Sequence, residues 1–300
     1  MNLLKGLALT LAITGTAGCF ENRNRSIELM NEGVEAGRQK IYDTAIKKLK
    51  LSTDTDPTNH MAWYNLGVVL KDSKKFEPAA DAFDHAVKLQ EGNATYHYEL
   101  GLAYEEQARE LKKGDPAKTD ITQIPKKIDQ ARAEYEAAVK VDPKLYKVHY
   151  RLGTVLEDLD KLREADAEYR KAIEGNPRFV QPYIKLGYLY FDHDYDKEAV
   201  QVFQGGVLAA DNDGEVHLGL GRALQKSKQY DEAIKEFKKA YAINSELFVA
   251  VYDLGMTYKM MDDKKNAKEW LQKFIAGAGS KGTPDMMKAA SDAMYQLDAP

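Results

Sequence analysis

The segment 60–93, HMAWYNLGVVLKDSKKFEPAADAFDHAVKLQEGN, decides the fold because its two small-residue markers recur along the chain. Gly67 follows an apolar residue in the first half of this segment, and Ala79 begins the second half. The glycine recurs at Gly33, Gly67, Gly101, Gly153, Gly187, Gly221 and Gly255. The alanine recurs at Ala45, Ala79, Ala131, Ala165, Ala199, Ala233 and Ala267. Both series advance by 34 residues except for one shared step of 52, which indicates a 34-residue repeat with one insertion of 18 residues.

The repeat predicts a pair of antiparallel helices joined by a short turn. Gly and Ala are expected where the two helices cross closely, and Leu and aromatic residues fill the space beside the crossing. Asp56-Pro57, Asp142-Pro143 and Asn176-Pro177 mark ends of units, since the residue before proline disfavours helix. One hairpin cannot bury its apolar face alone, so successive hairpins are expected to stack.

Each unit resembles the tetratricopeptide repeat family, whose pattern is Trp, Leu-Gly, Tyr, Ala, Phe, Ala and Pro. The second unit matches it with Trp63, Leu66-Gly67, Ala79, Phe83 and Ala86. The resemblance implies an all-α, right-handed superhelical solenoid of about seven helical hairpins with a C-terminal capping helix. The expected units are 26–59, 60–93, 94–145, 146–179, 180–213, 214–247 and 248–281, and the capping helix and tail are 282–300. Thr283-Pro284-Asp285 is typical of the start of that last helix.

The first eighteen residues have the pattern of a secretory leader. Lys5 precedes a short apolar run, and small residues lead up to Cys19, the only cysteine. Residues 16–19 resemble the lipobox of bacterial lipoproteins, although Thr16 stands where Leu is usual. The resemblance implies cleavage before Cys19, lipidation of its thiol and a membrane anchor, with 19–25 as a lipidated tether. The alternative is an ordinary leader with an incidental cysteine.

Phe20 follows the cysteine, at a position where Asp tends to retain lipoproteins in the inner membrane. In a two-membrane cell, the absence of Asp at position 20 favours the outer membrane, with the protein facing the periplasm.

Family geometry places certain positions of the first helix of each unit on the inner wall of the solenoid, and here they are mostly aromatic or apolar. The predicted peptide-binding groove comprises Tyr64, Val68, Tyr98, Leu102, Tyr150, Ile184, Tyr188, Phe191, Leu218, Tyr252 and Met256. Such a surface suits an amphipathic helix or an extended peptide. The alternative is that these side chains pack against neighbouring units and contact no partner.

Some tetratricopeptide domains clamp a terminal carboxylate with lysine, asparagine and arginine. Lys147 and Arg151 occupy two of those positions, but Glu99 stands where an asparagine is needed. The full clamp is therefore absent. Two interpretations remain for Lys147 and Arg151: contacts to an acidic partner, or a solvated pair.

The insertion falls at about 110–127, between the paired helices of the third unit. Gly114-Asp115-Pro116 and Ile124-Pro125 require some non-helical chain there. Its lysines are Lys112, Lys113, Lys118, Lys126 and Lys127. It forms either a solvated loop between two longer helices or a contact with an acidic protein or lipid headgroups.

Composition and motifs argue against several functions. The formal net charge of −4 argues against a nucleic-acid binder. His97, His149 and His217 stand where the second unit has tryptophan, so they are interpreted as packing residues rather than metal ligands. No phosphate loop, nucleophile elbow or metalloprotease motif occurs. We therefore expect no enzyme activity, no cofactor and no metal.

The leading hypothesis is a non-enzymatic scaffold that binds one or more envelope proteins through helical or extended segments. It would assist assembly of an outer-membrane or envelope complex, such as a type IV pilus or secretion channel, because lipoproteins of that kind share the plan of lipobox plus repeats. Two alternatives are a subunit of outer-membrane protein insertion or polysaccharide export, and an enzyme on a repeat platform. The last would need a catalytic domain, for which nearly no residues are left.

Overall fold

The computed structural model describes residues 3–115, 119–279 and 282–298, with side chains from residue 20 onward. The regular secondary structure in these ranges is entirely helical, with no strand, which confirms the predicted all-α class. The helices are α1 (Leu3–Arg38), α2 (Tyr42–Thr55), α3 (His60–Asp72), α4 (Phe76–Leu89), α5 (Ala94–Lys113), α6 (Gln123–Val141), α7 (Tyr146–Asp158), α8 (Leu162–Gly175), α9 (Gln181–Asp192), α10 (Asp196–Ala209), α11 (Gly214–Lys226), α12 (Tyr230–Ile243), α13 (Phe248–Met260), α14 (Lys264–Ala278) and α15 (Pro284–Asp298).

Contacts divide the chain into two compact units, Met1–Asp160 and Lys161–Pro300. In the first unit, α1 packs on α2, α3 on α4 and α5 on α6, each as a hairpin. In the second unit, α9 packs on α10, α11 on α12 and α13 on α14 in the same way. Consecutive hairpins within a unit also pack on one another, for example through α4 and α5 or through α10 and α11. Within each unit the apolar face of one hairpin is thus covered by the next.

In the first three and the last three repeats, the glycine and the alanine lie where the two helices of the hairpin cross. All seven alanine markers are 0% exposed. A Cβ added to Gly67 would come within 2.6 Å of the Phe83 ring in the second helix of the same hairpin. Equivalent close approaches join Gly33 to Leu49, Gly101 to Tyr135, Gly187 to Phe203, Gly221 to Phe237 and Gly255 to Leu271. The 34-residue period is therefore a packing requirement, because any larger residue at the glycine would displace a buried side chain.

The turns inside the hairpins repeat a feature that the sequence did not reveal. One residue in each short turn is left-handed, with φ between 58° and 62°, although none of these residues is glycine. They are Lys40, Lys74, Asp160, Asp194, Lys228 and Asp262. After Lys74, for example, the N–H of Lys75 donates back to the carbonyl of Leu70 at 2.8 Å. This bond closes the helix end by the Schellman arrangement and reverses the chain toward the second helix.

The insertion lengthens both helices of the third hairpin. Helix α5 has 20 residues and α6 has 19, against 13 and 14 in the preceding hairpin. Residues 116–118 of the connecting loop, including Lys118, lie outside the described residues. Two of its lysines have intramolecular contacts, since Lys112 lies 3.5 Å from Asp158 and Lys127 lies over the Tyr104 ring. The described part of the insertion thus has the form of two longer helices joined by a loop.

The N-terminal segment differs from the expected tether. Residues 20–25 are helical and continue directly into the first repeat as part of α1. Ser26 is fully buried, and its Oγ accepts a hydrogen bond from the Asn59 amide at 2.9 Å. The structure describes no side chain before residue 20, which leaves out the predicted leader 1–18 and Cys19. Cleavage and lipidation therefore stay predictions. Among the described residues, no helix combines the length and apolarity that a membrane span requires.

Helix α15 covers the last hairpin of the second unit. Its inward residues Ala290, Ala293 and Leu297 are buried against the cluster that contains Leu271 and Phe274. Thr283 caps its start, because the Thr283 Oγ1 accepts a hydrogen bond from the Met286 N–H at 3.2 Å. The open apolar end of the final hairpin is therefore shielded from water by a helix whose polar face points outward.

Candidate functional site

The first unit carries five of the predicted groove residues on the first helices of its repeats. They are Tyr64 and Val68 on α3, Tyr98 and Leu102 on α5, and Tyr150 on α7. All five are partly exposed, so each presents some of its side chain to solvent while the rest packs inside. We call these five residues the first wall. They offer apolar and aromatic surface at equivalent positions of neighbouring repeats.

The tyrosines of the first wall are held by aromatic neighbours. The Tyr64 ring stacks on Tyr96 with centroids 4.9 Å apart, and Tyr98 lies 6.0 Å from the buried ring of Tyr135. Burial raises the pKa of both Tyr64 and Tyr98. Their phenols therefore stay neutral at physiological pH and can donate hydrogen bonds to a ligand.

The second unit carries an analogous surface, but one predicted member is missing from it. Ile184, Tyr188, Phe191, Tyr252 and Met256 are partly exposed, and we call them the second wall. Leu218 is only 3% exposed, so its prediction as a groove residue is corrected. The reason is the packing of α11, which contacts both α9 and α13 and buries every residue from 216 to 221.

Charged residues beside the first wall are paired with one another between repeats. Lys71 of α3 forms an ion pair with Glu99 of α5. Arg151 of α7 donates from NH1 to Glu105 Oε1 at 3.1 Å, and the Tyr135 hydroxyl donates to the other oxygen of Glu105 at 2.8 Å. The idea that Arg151 is open to an acidic partner is therefore corrected, because its guanidinium already has a carboxylate. Lys147 is exposed at the start of the same helix.

A second inter-repeat pair lies beside the second wall. Arg222 of α11 donates from Nε to Asp253 Oδ2 of α13 at 2.7 Å. Burial raises the pKa of Asp253, and the charge and hydrogen bond of Arg222 offset that effect only in part. Next to this pair, the Gln225 amide donates to the Thr257 hydroxyl at 2.7 Å. These polar contacts fix the register of one repeat on the next.

The two pairs beside the first wall have a spacing by which they could have been found, although the sequence patterns considered above do not point to them. Lys71 and Glu99 are 28 residues apart. Glu105 and Arg151 are 46 apart, which is the same separation once the 18-residue insertion intervenes. A search for opposite charges at this spacing would have identified Arg151 as paired. The charges of Lys71, Glu99, Glu105 and Arg151 beside the first wall are thus neutralised within the protein.

Comparison with known proteins agrees with this geometry. Family models described as the tetratricopeptide repeat match residues 62–93, 146–179, 214–247 and 249–276. The chain carries tetratricopeptide repeats. The matched segments are the second, fourth, sixth and seventh units of the 34-residue period.

A TPR repeat-containing protein of Methanocaldococcus jannaschii is 23% identical over 255 residues, which cover 79% of this chain. The chain spans only 41% of the length of that relative.

Solved structures of tetratricopeptide proteins share the fold at low identity. A protein from Parabacteroides merdae is 15% identical with a TM-score of 0.60, and the match covers 92% of this chain and 100% of that one. The pilF protein of Pseudomonas aeruginosa is 16% identical with a TM-score of 0.60 over 78% of this chain and 97% of that one. YrrB, a TPR protein with an unusual peptide-binding site, is 18% identical with a TM-score of 0.52 over 68% and 96%. At these identities the likeness concerns the fold alone.

The residue at the position of Trp63 makes the same hydrogen bond in several repeats. Trp63 Nε1 donates to the carbonyl of residue 57, six residues earlier, at 3.0 Å. The ring or hydroxyl groups at equivalent positions contact the carbonyl six residues earlier in four more repeats: His97 to Glu91, His149 to Pro143, Tyr183 to Pro177 and His217 to Asp211. The three histidines thus tie the loop before each helix to the repeat. Among the described residues, no three His, Cys, Asp or Glu side chains are grouped as metal ligands would be.

His217 combines this loop contact with a carboxylate partner. Its Nε2 contacts the Asp211 carbonyl at 3.0 Å, and its Nδ1 contacts Glu236 Oε2 at 2.5 Å. Both partners are acceptors, so both bonds form only when the ring is doubly protonated. The hydrogen bond to Glu236 raises the pKa of His217 above its ordinary 6.5, and burial opposes it. Burial acts to raise the pKa of Glu236, but its bonds and charges from His217 and Lys239 outweigh burial and lower it.

The His217–Glu236 pair makes stability depend on pH. The histidine contribution is present below its ordinary pKa of 6.5 and is lost as pH rises through the raised folded value. The glutamate contribution is present above 4.5 and is lost as pH falls through the lowered folded value. Both contributions are present between pH 4.5 and pH 6.5. In that range we expect His217→Gln to lower the free energy of unfolding most, by about 1.5 to 3 kcal/mol, as is typical of hydrogen bonds to charged groups.

Urea unfolding across this pH range measures the effect, with His193→Gln in an exposed loop as the matched control. An NMR titration in which the His217 pKa is at or below 6.5 would contradict the doubly protonated assignment.

Proposed function

We propose that this protein is a non-enzymatic, lipid-anchored scaffold of the cell envelope that assists assembly of an outer-membrane or envelope complex, such as a type IV pilus or secretion channel. The observation that carries the proposal is the pair of walls, which are partly exposed, aromatic or apolar, and flanked by charges already paired inside the protein. Tetratricopeptide repeats are protein-interaction modules in general. The described repeats and α15 account for nearly all of residues 26–298.

The chemistry of the walls favours a partner segment with an apolar face. Val68 and Leu102 add partly exposed aliphatic side chains to the three tyrosines of the first wall. Tyrosine combines a large rigid apolar ring with a hydroxyl that can bond to backbone or side-chain groups of a ligand. An amphipathic helix or an extended segment with alternating apolar residues would fit such a surface.

The paired charges predict how this binding should respond to salt. The carboxylates of Glu99 and Glu105 are held by Lys71 and Arg151, so they are not available to attract an oppositely charged ligand. Binding should then depend mainly on apolar contact, which salt does not screen. We expect a bound partner to be retained in about 1 M NaCl, where the screening length falls to about 3 Å.

Anchoring at Cys19 is the second part of the proposal, and it is supported by the sequence. The only cysteine follows a leader-like segment and small residues, and Phe20 comes next rather than Asp. We infer an outer-membrane location facing the periplasm. Mass spectrometry of the mature protein from its native envelope tests this, because an unmodified Cys19 thiol would contradict it.

Replacing Tyr64, Tyr98 and Tyr150 by alanine should abolish partner capture by the first wall. The change removes three aromatic rings from a surface whose binding energy is expected to rest on a few such groups. The measurement is affinity capture of the lipidated full chain from its own envelope, with circular dichroism to check folding. Tyr295→Ala is the matched control, because Tyr295 is 80% exposed on α15 and belongs to neither wall.

Val68→Lys tests the same wall without deleting a tyrosine, since this partly exposed side chain can carry a charge into solvent. The groove proposal is wrong if both the triple variant and Val68→Lys stay folded and capture every partner that the wild type captures.

A further inference from the structure

Helix α1 connects Cys19 to the first repeat without a flexible spacer. Ser26 Oγ donates to the Ser52 carbonyl at 3.0 Å, and Ser52 Oγ donates to the Ser26 carbonyl at 2.7 Å. The Asn59 amide donates to Ser26 Oγ at 2.9 Å. All three contacts tie α1 to α2 and to the start of α3. Ser26 lies seven positions after Cys19 in the helix, which is a rise of about 10 Å.

An exposed apolar patch lies beside this attachment. Phe20 is 67% exposed, Ile27 is 41% exposed and Met61 is 50% exposed. We call these three residues the N-terminal patch. Together with Met30 and Pro57 they line an open cavity of about 890 Å³ between α1 and the turn from α2 to α3. Large apolar side chains grouped at a surface in this way indicate a contact with another apolar body.

We propose that the N-terminal patch inserts into the interface of the phospholipid bilayer and holds the first repeat against the membrane. This inference rests on the anchoring at Cys19 proposed above. The bilayer is the occupant because Phe20 is the residue next to Cys19, so a lipid on Cys19 brings Phe20 to the membrane surface. Ile27 and Met61 lie around the same cavity and enter the interface with it.

The charges around the N-terminal patch suit a phospholipid surface. Arg23 lines the same cavity and is exposed, so its guanidinium can reach lipid phosphates while its aliphatic stem covers apolar surface. Arg25 lies 3.0 Å from Glu28 on the exposed surface of the same helix. Apolar side chains that enter the headgroup region beside a cation are the pattern of an interfacial helix. The first repeat would therefore meet a partner directly at the membrane.

A fluorescent probe on single cysteines tests this contact. Cys19 carries the lipid in the mature chain, so Ile27→Cys or Met61→Cys would supply the only free thiol. Each variant is labelled with an environment-sensitive nitrobenzoxadiazole dye and reconstituted into vesicles of phosphatidylcholine and phosphatidylglycerol. We expect iodide quenching to be lost at positions 27 and 61. Leu208→Cys is the matched control, because Leu208 is 90% exposed on α10, and quenching there should be unchanged.

Flotation of the same vesicles separates the ways in which this inference can fail. If the protein floats with the vesicles and the labels at 27 and 61 are still quenched, the anchor survives and the membrane contact is wrong. If the protein does not float, the anchoring itself is wrong. If the labels are already protected in a Cys19→Ala chain in solution, a second copy of the protein covers the patch, and the inference is overturned. The supporting result is protection that appears only on vesicles.

Discussion

Replacing Gly219 by alanine is expected to lower the free energy of unfolding by about 2 kcal/mol, although alanine is the better helix former. The ring of Phe203 is 0% exposed and lies between two glycines. A Cβ on Gly219 would come within 2.1 Å of this ring, and a Cβ on Gly187 would come within 2.6 Å of it from its own hairpin. The ring therefore cannot retreat, and the cost of overpacking, up to about 3 kcal/mol, exceeds the gain of about 1 kcal/mol in helix propensity.

Urea unfolding followed by circular dichroism measures this change in the full chain. Gly92→Ala is the matched control, because nothing lies within 4 Å of its added Cβ, and we expect a change within about 0.5 kcal/mol. Phe203→Leu should relieve the clash, so the double variant should lose less than the sum of the two single changes. If Gly219→Ala is as stable as the wild type, the ring of Phe203 is not held between the two helices as described.

Replacing Arg222 by methionine is expected to cost about 3 to 5 kcal/mol, because it leaves a buried carboxylate without its partner. Asp253 is 8% exposed and receives a hydrogen bond of 2.7 Å from Arg222. The comparable change at an exposed pair, Arg25→Met beside Glu28, should cost less than about 1 kcal/mol. The double variant Arg222→Met/Asp253→Leu should recover most of the lost stability, since no uncompensated charge remains.

The loss in Arg222→Met should also depend on pH. The pKa of Asp253 is already raised from its ordinary 3.8, and removing Arg222 raises it further. A raised folded pKa means that stability is present at low pH and is lost as pH rises through that folded value. Urea unfolding should therefore show the variant regaining stability as pH falls toward 3.8. A loss that is the same at all pH values would mean that Asp253 is not buried as a charged group.

The predicted groove residues share a helix face but differ in exposure. Ten of the eleven predicted residues are partly exposed at the expected helical positions, whereas Leu218 is buried. The pattern identified which helix face they occupy, because that face follows from the repeat register. It could not identify how deeply α11 would sit between α9 and α13, which depends on the small residue Gly219 and on the ring of Phe203.

The paired charges and the N-terminal helix also depended on tertiary structure. The sequence leaves Arg151 as a candidate contact for an acidic partner, whereas in the structure it lies 3.1 Å from Glu105 Oε1. The polar residues of segment 19–25 suggest a tether. In the structure, Ser26 is hydrogen-bonded to Ser52 and Asn59, and residues 20–25 continue the same helix, α1. In both cases the partner lies in another helix, and a single sequence does not display the pairing.

The repeat, the hairpin and the insertion follow from the amino-acid sequence alone. Their cause is local, since the glycine of one helix lies against a large side chain of the next helix along the chain, as Gly67 lies against Phe83. Tertiary packing sets which long side chains pair between repeats, which turn residues become left-handed and which wall residues remain exposed. Those outcomes depend on differences of about an ångström in how closely the helices approach, and such differences arise from the packing of whole side chains rather than from their spacing along the chain.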